Sequence, residues 1–139
     1  MMGTKPYIRK TDITAVCTND EARDYFKQKG LTYDDITEGD ILPLVMLLQQ
    51  ELKKSAKDCE TSVSTMTLSK KINIKKRPNG SITSCFLYVN SHYFVQRECI
   101  SFNADGFIGF AGWADQGNVN PILRAFLKWC DYMAEAKNG

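Results

Sequence analysis

The sequence predicts an α+β fold: two N-terminal helices, a four-stranded antiparallel β-meander, and a C-terminal helix packed on the sheet as a two-layer sandwich. Apolar residues recur at helical spacing before residue 58 and after residue 120, and alternate with polar residues in between. The connections inside the alternating region are short, so neighbouring strands must run antiparallel. We expect residues 1–139 to form a single α+β domain.

The two N-terminal helices are predicted from their end signals and an apolar stripe. In CTNDEARDYFKQKG, Thr18 and Glu21 form a capping box and Gly30 suits the C-terminal end. Thr37 and Asp40 flank the start of the second helix. Its predicted stripe consists of Ile41, Leu44, Val45, Leu48 and Leu52.

Four strands follow, separated by turn signals. The first begins at Met66 and ends at the turn RPNG, and the second covers 81–89. The dipeptide NS at 90–91 is short enough for a tight hairpin into a third strand over 92–102, and NADG leads to a fourth over 107–113. On the third strand, the set predicted to be more buried is Tyr93, Val95, Arg97 and Cys99.

The last helix begins at NPILRAFLKWCDYM. Asn120 is a favourable N-cap and Pro121 fits the first helical position. We expect its apolar stripe to cover one face of the sheet. The predicted stripe consists of Val119, Ile122, Leu123, Phe126, Cys130 and Met133.

Composition favours an ordered cytoplasmic protein without a membrane partner. No apolar run approaches the roughly 18 residues that span a bilayer, and the first residues lack the apolar core of a secretory signal. The five cysteines are odd in number and show no CxxC spacing, so we expect reduced thiols and no metal site. Their positions are 17, 59, 85, 99 and 130.

A basic segment is the strongest functional signal. Residues 61–90 carry five cations and no acid. The two strands and the turn that carry these cations can follow a phosphate backbone or contact an acidic protein. Tyr88 and Tyr93 offer rings that can stack on bases. The alternative is an edge strand whose lysines prevent aggregation. The five cations are Lys70, Lys71, Lys75, Lys76 and Arg77.

The second candidate surface is the glycine-rich segment DGFIGFAGWADQGNV. Gly109 and Gly112 interrupt a strand pattern, which favours close packing of a helix or a shallow groove for a partner. We expect close packing at Gly109. A groove would have a rim formed by Gly112, Trp113, Asp115 and Asn118.

The sequence carries no motif of a known catalytic class. It has no phosphate loop, dinucleotide fingerprint, nucleophile elbow or HExxH helix. His92, the single histidine, is expected at a strand end in solvent, and the acids between 34 and 40 are explained by helix starts. These observations favour a non-enzymatic protein that binds no cofactor.

The C-terminal third carries a resemblance. The strand DGFIGFAGWAD and the helix NPILRAFLKWCDYM are similar to segments of small proteins encoded by phages and prophages of gut-type bacteria. The similarity covers about a quarter of the chain and brings no activity with it. It implies an accessory protein of a mobile element that binds a host or viral macromolecule, including one that inhibits a defence system.

Three functions stay open. The first is a small non-enzymatic binding protein whose partner is a protein, contacted through the basic segment or the rim at Trp113. The second is a nucleic-acid-binding accessory protein that uses residues 70–77. The third is a small enzyme acting on a nucleotide-like anion. The sequence does not predict the oligomeric state.

Overall fold

The computed structural model describes residues 19–58, 66–91, 95–103, 105–110 and 121–138. In this part of the chain, three α-helices and a four-stranded antiparallel sheet follow one another in the predicted order, which confirms the α+β class. A short 3-10 helix, Tyr33–Asp35, joins the first two α-helices. The elements are α1 (Asn19–Gln28), α2 (Glu38–Asp58), β1 (Met66–Lys76), β2 (Ile82–Ser91), β3 (Arg97–Phe102), β4 (Ile108–Phe110) and α3 (Pro121–Asn138).

The helix ends follow the local signals in the sequence. Gly30 ends α1 in the left-handed conformation, with a φ of 76°, and its N–H donates to the Lys27 carbonyl at 2.9 Å. At the start of α2, the Thr37 N–H donates to the Asp40 carboxylate at 2.9 Å. The two residues predicted to flank α2 therefore form its cap. The cap predicted at Thr18 lies outside the described residues.

The sheet has the order β1-β2-β3-β4, so β1 and β4 are its edges. α2 contacts β1 and α3, and α1 contacts α3 and β4, which places the helices in one layer against the sheet. Across that layer, the Tyr25 hydroxyl donates to the Asp131 carboxylate at 2.6 Å. The strand side chains that meet the helices are fully buried: Ile82, Cys85, Leu87, Val89, Ile100 and Phe102.

The connection between β2 and β3 is longer than the predicted hairpin. β2 continues to Ser91 and β3 begins only at Arg97, so the predicted tight hairpin at NS and strand start at 92 are wrong. The Asn90 side-chain carbonyl accepts a hydrogen bond from the Gln96 N–H at 2.6 Å, which closes the wider connection. Residues 92–94, which include the single histidine, lie outside the described part of the chain.

β3 also buries a different set of residues from the predicted one. Between the pairs that β2 forms with Ile100 and with Glu98, Cys99 is an extra residue in β3. This bulge turns Cys99 and Ile100 both into the core, where neither is exposed to solvent. The prediction was right for Cys99 and wrong for Val95 and Arg97, which are exposed. Val95 precedes β3 and Arg97 is its first residue, so their exposure follows from their position at the strand end and not from the bulge.

α3 buries more of its surface than the predicted stripe. Phe126 is fully buried, as predicted, and so is Trp129, which the stripe does not include. The Trp129 ring lies 5.7 Å from that of Phe102, and its indole N–H donates to the Asp40 carbonyl at 2.8 Å. Because α3 contacts α1 and α2 as well as facing the sheet, one stripe cannot describe its buried arc. Val119 lies outside the described residues.

The described cysteines are free thiols in the core. Cys85, Cys99 and Cys130 are buried and form no disulfide. Burial raises the pKa of Cys85 and of Cys99 to about 12 and raises the pKa of Cys130 well above its usual value. These groups therefore remain protonated near neutral pH and act as apolar side chains. Cys17 and Cys59 lie outside the described residues.

Gly109 allows two strands and a phenyl ring to approach closely. It pairs with Ser101 across β3 and β4. A Cβ at this position would lie 2.8 Å from Ser101 Oγ and 3.3 Å from the Phe107 ring. The close packing predicted at Gly109 is present, but the neighbours are a strand and a ring and not a helix.

We expect Gly109→Ala to lower the free energy of unfolding by about 1–3 kcal/mol, because the added methyl group overfills this space. Urea denaturation measures the change. Ser101→Ala removes the closest atom, so the double variant Ser101→Ala/Gly109→Ala should recover part of the loss. A Gly109→Ala protein as stable as the wild type would contradict the packing at this position.

Candidate functional site

The sheet has a second face that points away from the helices. Along β2, the buried residues Cys85, Leu87 and Val89 alternate with side chains that are only partly buried. On β1 the corresponding positions are exposed and polar. We call this surface the outer face, and it consists of Lys71, Asn73 and Lys75 on β1, Ser84, Phe86 and Tyr88 on β2, and Glu98 on β3.

The outer face forms a shallow depression of about 510 Å³ between β1 and β3. The strand register sets its layout in two rows. Asn73 lies opposite Phe86, and Lys75 lies opposite Ser84. A polar row on the edge strand therefore runs beside a row that contains two aromatic rings, Phe86 and Tyr88.

An irregularity in β1 decides which lysines reach this face. From Leu68 to Ile72, β1 advances four residues while its partner β2 advances two. The buried Ser69 hydroxyl accepts a hydrogen bond from the Lys71 N–H at 3.1 Å inside this irregularity. From Lys71 onward the side chains alternate: Ile72 is turned inward, and its neighbours Lys71 and Asn73 are turned outward.

The structure divides the basic segment instead of keeping it together. Lys76 pairs with Glu38 at the start of α2, at 2.8 Å. Arg77 donates to the Ser81 hydroxyl at 3.0 Å and lies 3.8 Å from the Asp34 carboxylate. These two predicted binding residues therefore connect the end of β1 and the turn after it to the 3-10 helix and to the first residue of α2.

The other three cations of the basic segment remain available. Lys70, Lys71 and Lys75 are exposed. None of them has a carboxylate within 4.0 Å in the part of the chain that the structure describes. Lys71 and Lys75 belong to the outer face, and Lys70 lies in the irregular part of β1 beside it.

Tyr88 contacts two β1 side chains of the outer face. The Lys71 ammonium lies 5.0 Å from the centroid of its ring, and the Asn73 amide donates to its hydroxyl at 3.0 Å. Glu98 lies opposite Tyr88 on β3, so the face is positive along its β1 edge and carries a negative charge toward β3. Sequence reasoning identified Tyr88 but missed Phe86, although its position two residues away in the same strand was a usable signal.

A second depression, of about 260 Å³, lies between α1 and β4. Two cations, Arg23 and Lys27, line it. Arg23 is already engaged: its guanidinium lies 4.6 Å from the Phe107 ring centroid, pairs with Asp20 at 2.8 Å and donates to the Ile108 carbonyl. These contacts attach β4 to α1. The predicted rim residues Gly112, Trp113, Asp115 and Asn118 lie outside the described residues.

Among the residues that the structure covers, no three histidine, cysteine, aspartate or glutamate side chains are grouped closely enough to hold a metal ion. No helix in this part of the chain combines the length and the apolar character needed to cross a membrane. No protein-family model, curated protein or solved structure matches the chain.

Proposed function

We propose that this chain is a non-enzymatic binding protein that holds an anionic macromolecule on the outer face of its sheet. One observation carries the proposal: Lys71 and Lys75 stand exposed on the same face, without a carboxylate partner among the described residues, beside a row of partly exposed aromatic rings. Exposed cations attract an anionic partner over a distance and fix its position on contact.

Protection of a sheet edge explains only part of this arrangement. Lysines on an edge strand discourage pairing with another chain, and β1 is an edge. That role requires nothing of β2, which is an inner strand. Phe86 and Tyr88 nevertheless point outward from β2 and keep part of their surface in solvent. A positively charged groove beside aromatic rings is the combination found in single-stranded nucleic-acid sites.

The partner is a macromolecule with a negatively charged surface, either an acidic protein or a nucleic acid. The resemblance of the C-terminal third to phage-encoded proteins supports an accessory role in a mobile element, including inhibition of a host defence component.

A small enzyme acting on a nucleotide-like anion is less well supported, because the outer face offers cations and rings but no histidine or reactive thiol among the described residues.

Replacing Lys71 and Lys75 by alanine should weaken the binding of polyanions at least tenfold at about 50 mM salt. The variant makes fewer contacts with the polyanion, so its binding releases fewer counterions. Fluorescence anisotropy with labelled polyglutamate and a labelled single-stranded oligonucleotide measures the change. The matched control is Lys27→Ala/Lys53→Ala, which removes the same charge from exposed positions on α1 and α2.

The control should leave affinity within about twofold, since those lysines belong to the helical layer. Equal losses in the two double variants would show that net charge alone governs binding. A wild-type protein that binds neither probe at low salt would overturn the proposed function.

A further inference from the structure

We infer that the anionic macromolecule is a single-stranded nucleic acid, whose bases stack on Tyr88 and Phe86 while its phosphates contact Lys71 and Lys75. The inference rests on the proposed function and identifies its partner. It is carried by the placement of two aromatic rings and two cations in neighbouring rows of one face.

The spacing of these rows fits a chain that repeats an anion and a flat ring. Residues two apart in a strand lie roughly 6.6 Å apart on the same face. Phe86 and Tyr88 are therefore separated by about the distance between successive nucleotides in an extended single strand. Lys71 and Lys75 lie at the two ends of the parallel polar row, with Asn73 between them.

The charge pattern gives the bound strand a position across the sheet. The phosphates favour the β1 edge, where Lys71 and Lys75 lie, and are repelled from β3, where Glu98 faces the depression. The bases then lie inward, over β2. The Asn73 amide, which uses one N–H on the Tyr88 hydroxyl, keeps a second N–H and its carbonyl oxygen for a base edge.

Lys71 and Tyr88 work as a pair in this arrangement. In the free protein the Lys71 ammonium covers one face of the Tyr88 ring. A base that stacks on this face displaces the ammonium, and the released cation can then contact the phosphate of the same strand. The exchange is favourable because stacking of a base on an aromatic ring is stronger than an exposed cation–π contact.

An acidic protein would account for the cations but not for the rings. Carboxylates need only Lys71 and Lys75, and would leave Tyr88 and Phe86 as exposed apolar surface. In a duplex the bases are stacked on one another and unavailable, so the rings favour a single strand over a duplex. Base stacking does not depend on base identity, so we expect little sequence preference.

The test compares three labelled probes by fluorescence anisotropy: a single-stranded oligonucleotide of about 12 nucleotides, its duplex, and polyglutamate. The wild type should bind the single strand at least about fivefold more tightly than either other probe. Tyr88→Ala should lose at least about fivefold in affinity for the single strand, with an unchanged salt dependence. Tyr88→Phe, which keeps the ring, should bind like the wild type.

Lys71→Ala and Lys75→Ala should each flatten the plot of log affinity against log salt by about 0.7, the value for one phosphate contact on a single strand. Circular dichroism and thermal melting establish that each variant is folded. If Tyr88→Ala does not fold, Tyr88→Leu keeps the apolar bulk without the ring and should show the same loss.

Two outcomes separate this inference from the proposed function. If polyglutamate or the duplex binds as tightly as the single strand, or if a folded Tyr88 variant without a ring binds normally, the partner is not a stacked single strand. The inference then fails while the outer face remains a polyanion site. If no probe binds at about 50 mM salt, both fail.

Discussion

Trp129→Ala is expected to lower the free energy of unfolding by about 3–5 kcal/mol, the largest effect of any single substitution proposed for this chain. Trp129 is fully buried, and its ring contacts aromatic side chains from two other elements, with Phe26 on α1 at 6.2 Å and Phe102 on β3 at 5.7 Å. Truncation leaves a cavity where α1, α3 and the sheet meet. Guanidinium denaturation followed by far-ultraviolet circular dichroism measures the loss.

Trp129→Phe provides the matched control. It keeps an aromatic ring in the cluster but removes the indole N–H that donates to the Asp40 carbonyl at 2.8 Å. We expect a smaller loss, of about 1–3 kcal/mol, from the unsatisfied carbonyl and the reduced volume. A Trp129→Ala protein that unfolds at the wild-type denaturant concentration would show that α3 does not pack on the sheet in the described orientation.

Glu51→Gln is expected to lower the free energy of unfolding by about 3 kcal/mol. The Glu51 side chain is only 2% exposed, and it pairs with Arg124 at 2.9 Å and with Lys128, both on α3. Removing one member of a buried ion pair is strongly destabilising, and this loss falls at the lower end of the usual range because both cations reach solvent and can be hydrated.

The loss should depend on pH in a defined direction. Burial raises the pKa of Glu51, but hydrogen bonds from Lys128 and Arg124 and the nearby positive charges outweigh it, so that the pKa lies below its ordinary value of 4.5. Because the pKa of Glu51 is lower in the folded state than in the unfolded state, its ionised carboxylate stabilises the fold at pH values above about 4.5. This contribution is lost as the pH falls through the folded-state pKa.

The stability difference between the wild type and Glu51→Gln should therefore be constant near neutral pH and narrow in acid. Lys54→Ala is the control: Lys54 lies 3.8 Å from the same carboxylate, but its side chain is 62% exposed. We expect it to cost less than about 1 kcal/mol. A difference between Glu51→Gln and the wild type that widens on acidification would contradict the lowered pKa.

The sequence predicts the class and order of the elements because those depend on local signals. Gly30, Asp40 and Pro121 mark helix ends by their own backbone or side-chain chemistry, and in the structure each lies within two residues of a helix end. The burial of Ile100 directly beside Cys99 could not be predicted in this way. The bulge that buries both residues arises from the register between β2 and β3, which is a property of two strands and not of one.

The candidate site was predicted as a run of cations, and the structure selects among them. Lys75 and Lys76 are neighbours in sequence, yet Lys75 belongs to the outer face and Lys76 pairs with Glu38. Strand alternation places the two side chains on opposite faces of the sheet. Only the position of α2 at the end of β1 shows that the charge of Lys76 is the one paired with a carboxylate. Phe86 was missed because phenylalanine as a residue type favours burial, although its place two residues from Tyr88 in β2 put it on the same face.

The order of the strands has a consequence for how the chain folds. Each strand pairs with the next one along the chain, so the sheet forms by closing short loops, which cost little chain entropy. The contact between Tyr25 and Asp131 instead joins residues 106 positions apart. Non-local contacts of this kind slow folding. The greater entropic cost of assembly therefore falls on the helical layer, while the surface made by β1 and β2 arises from the most local part of the chain.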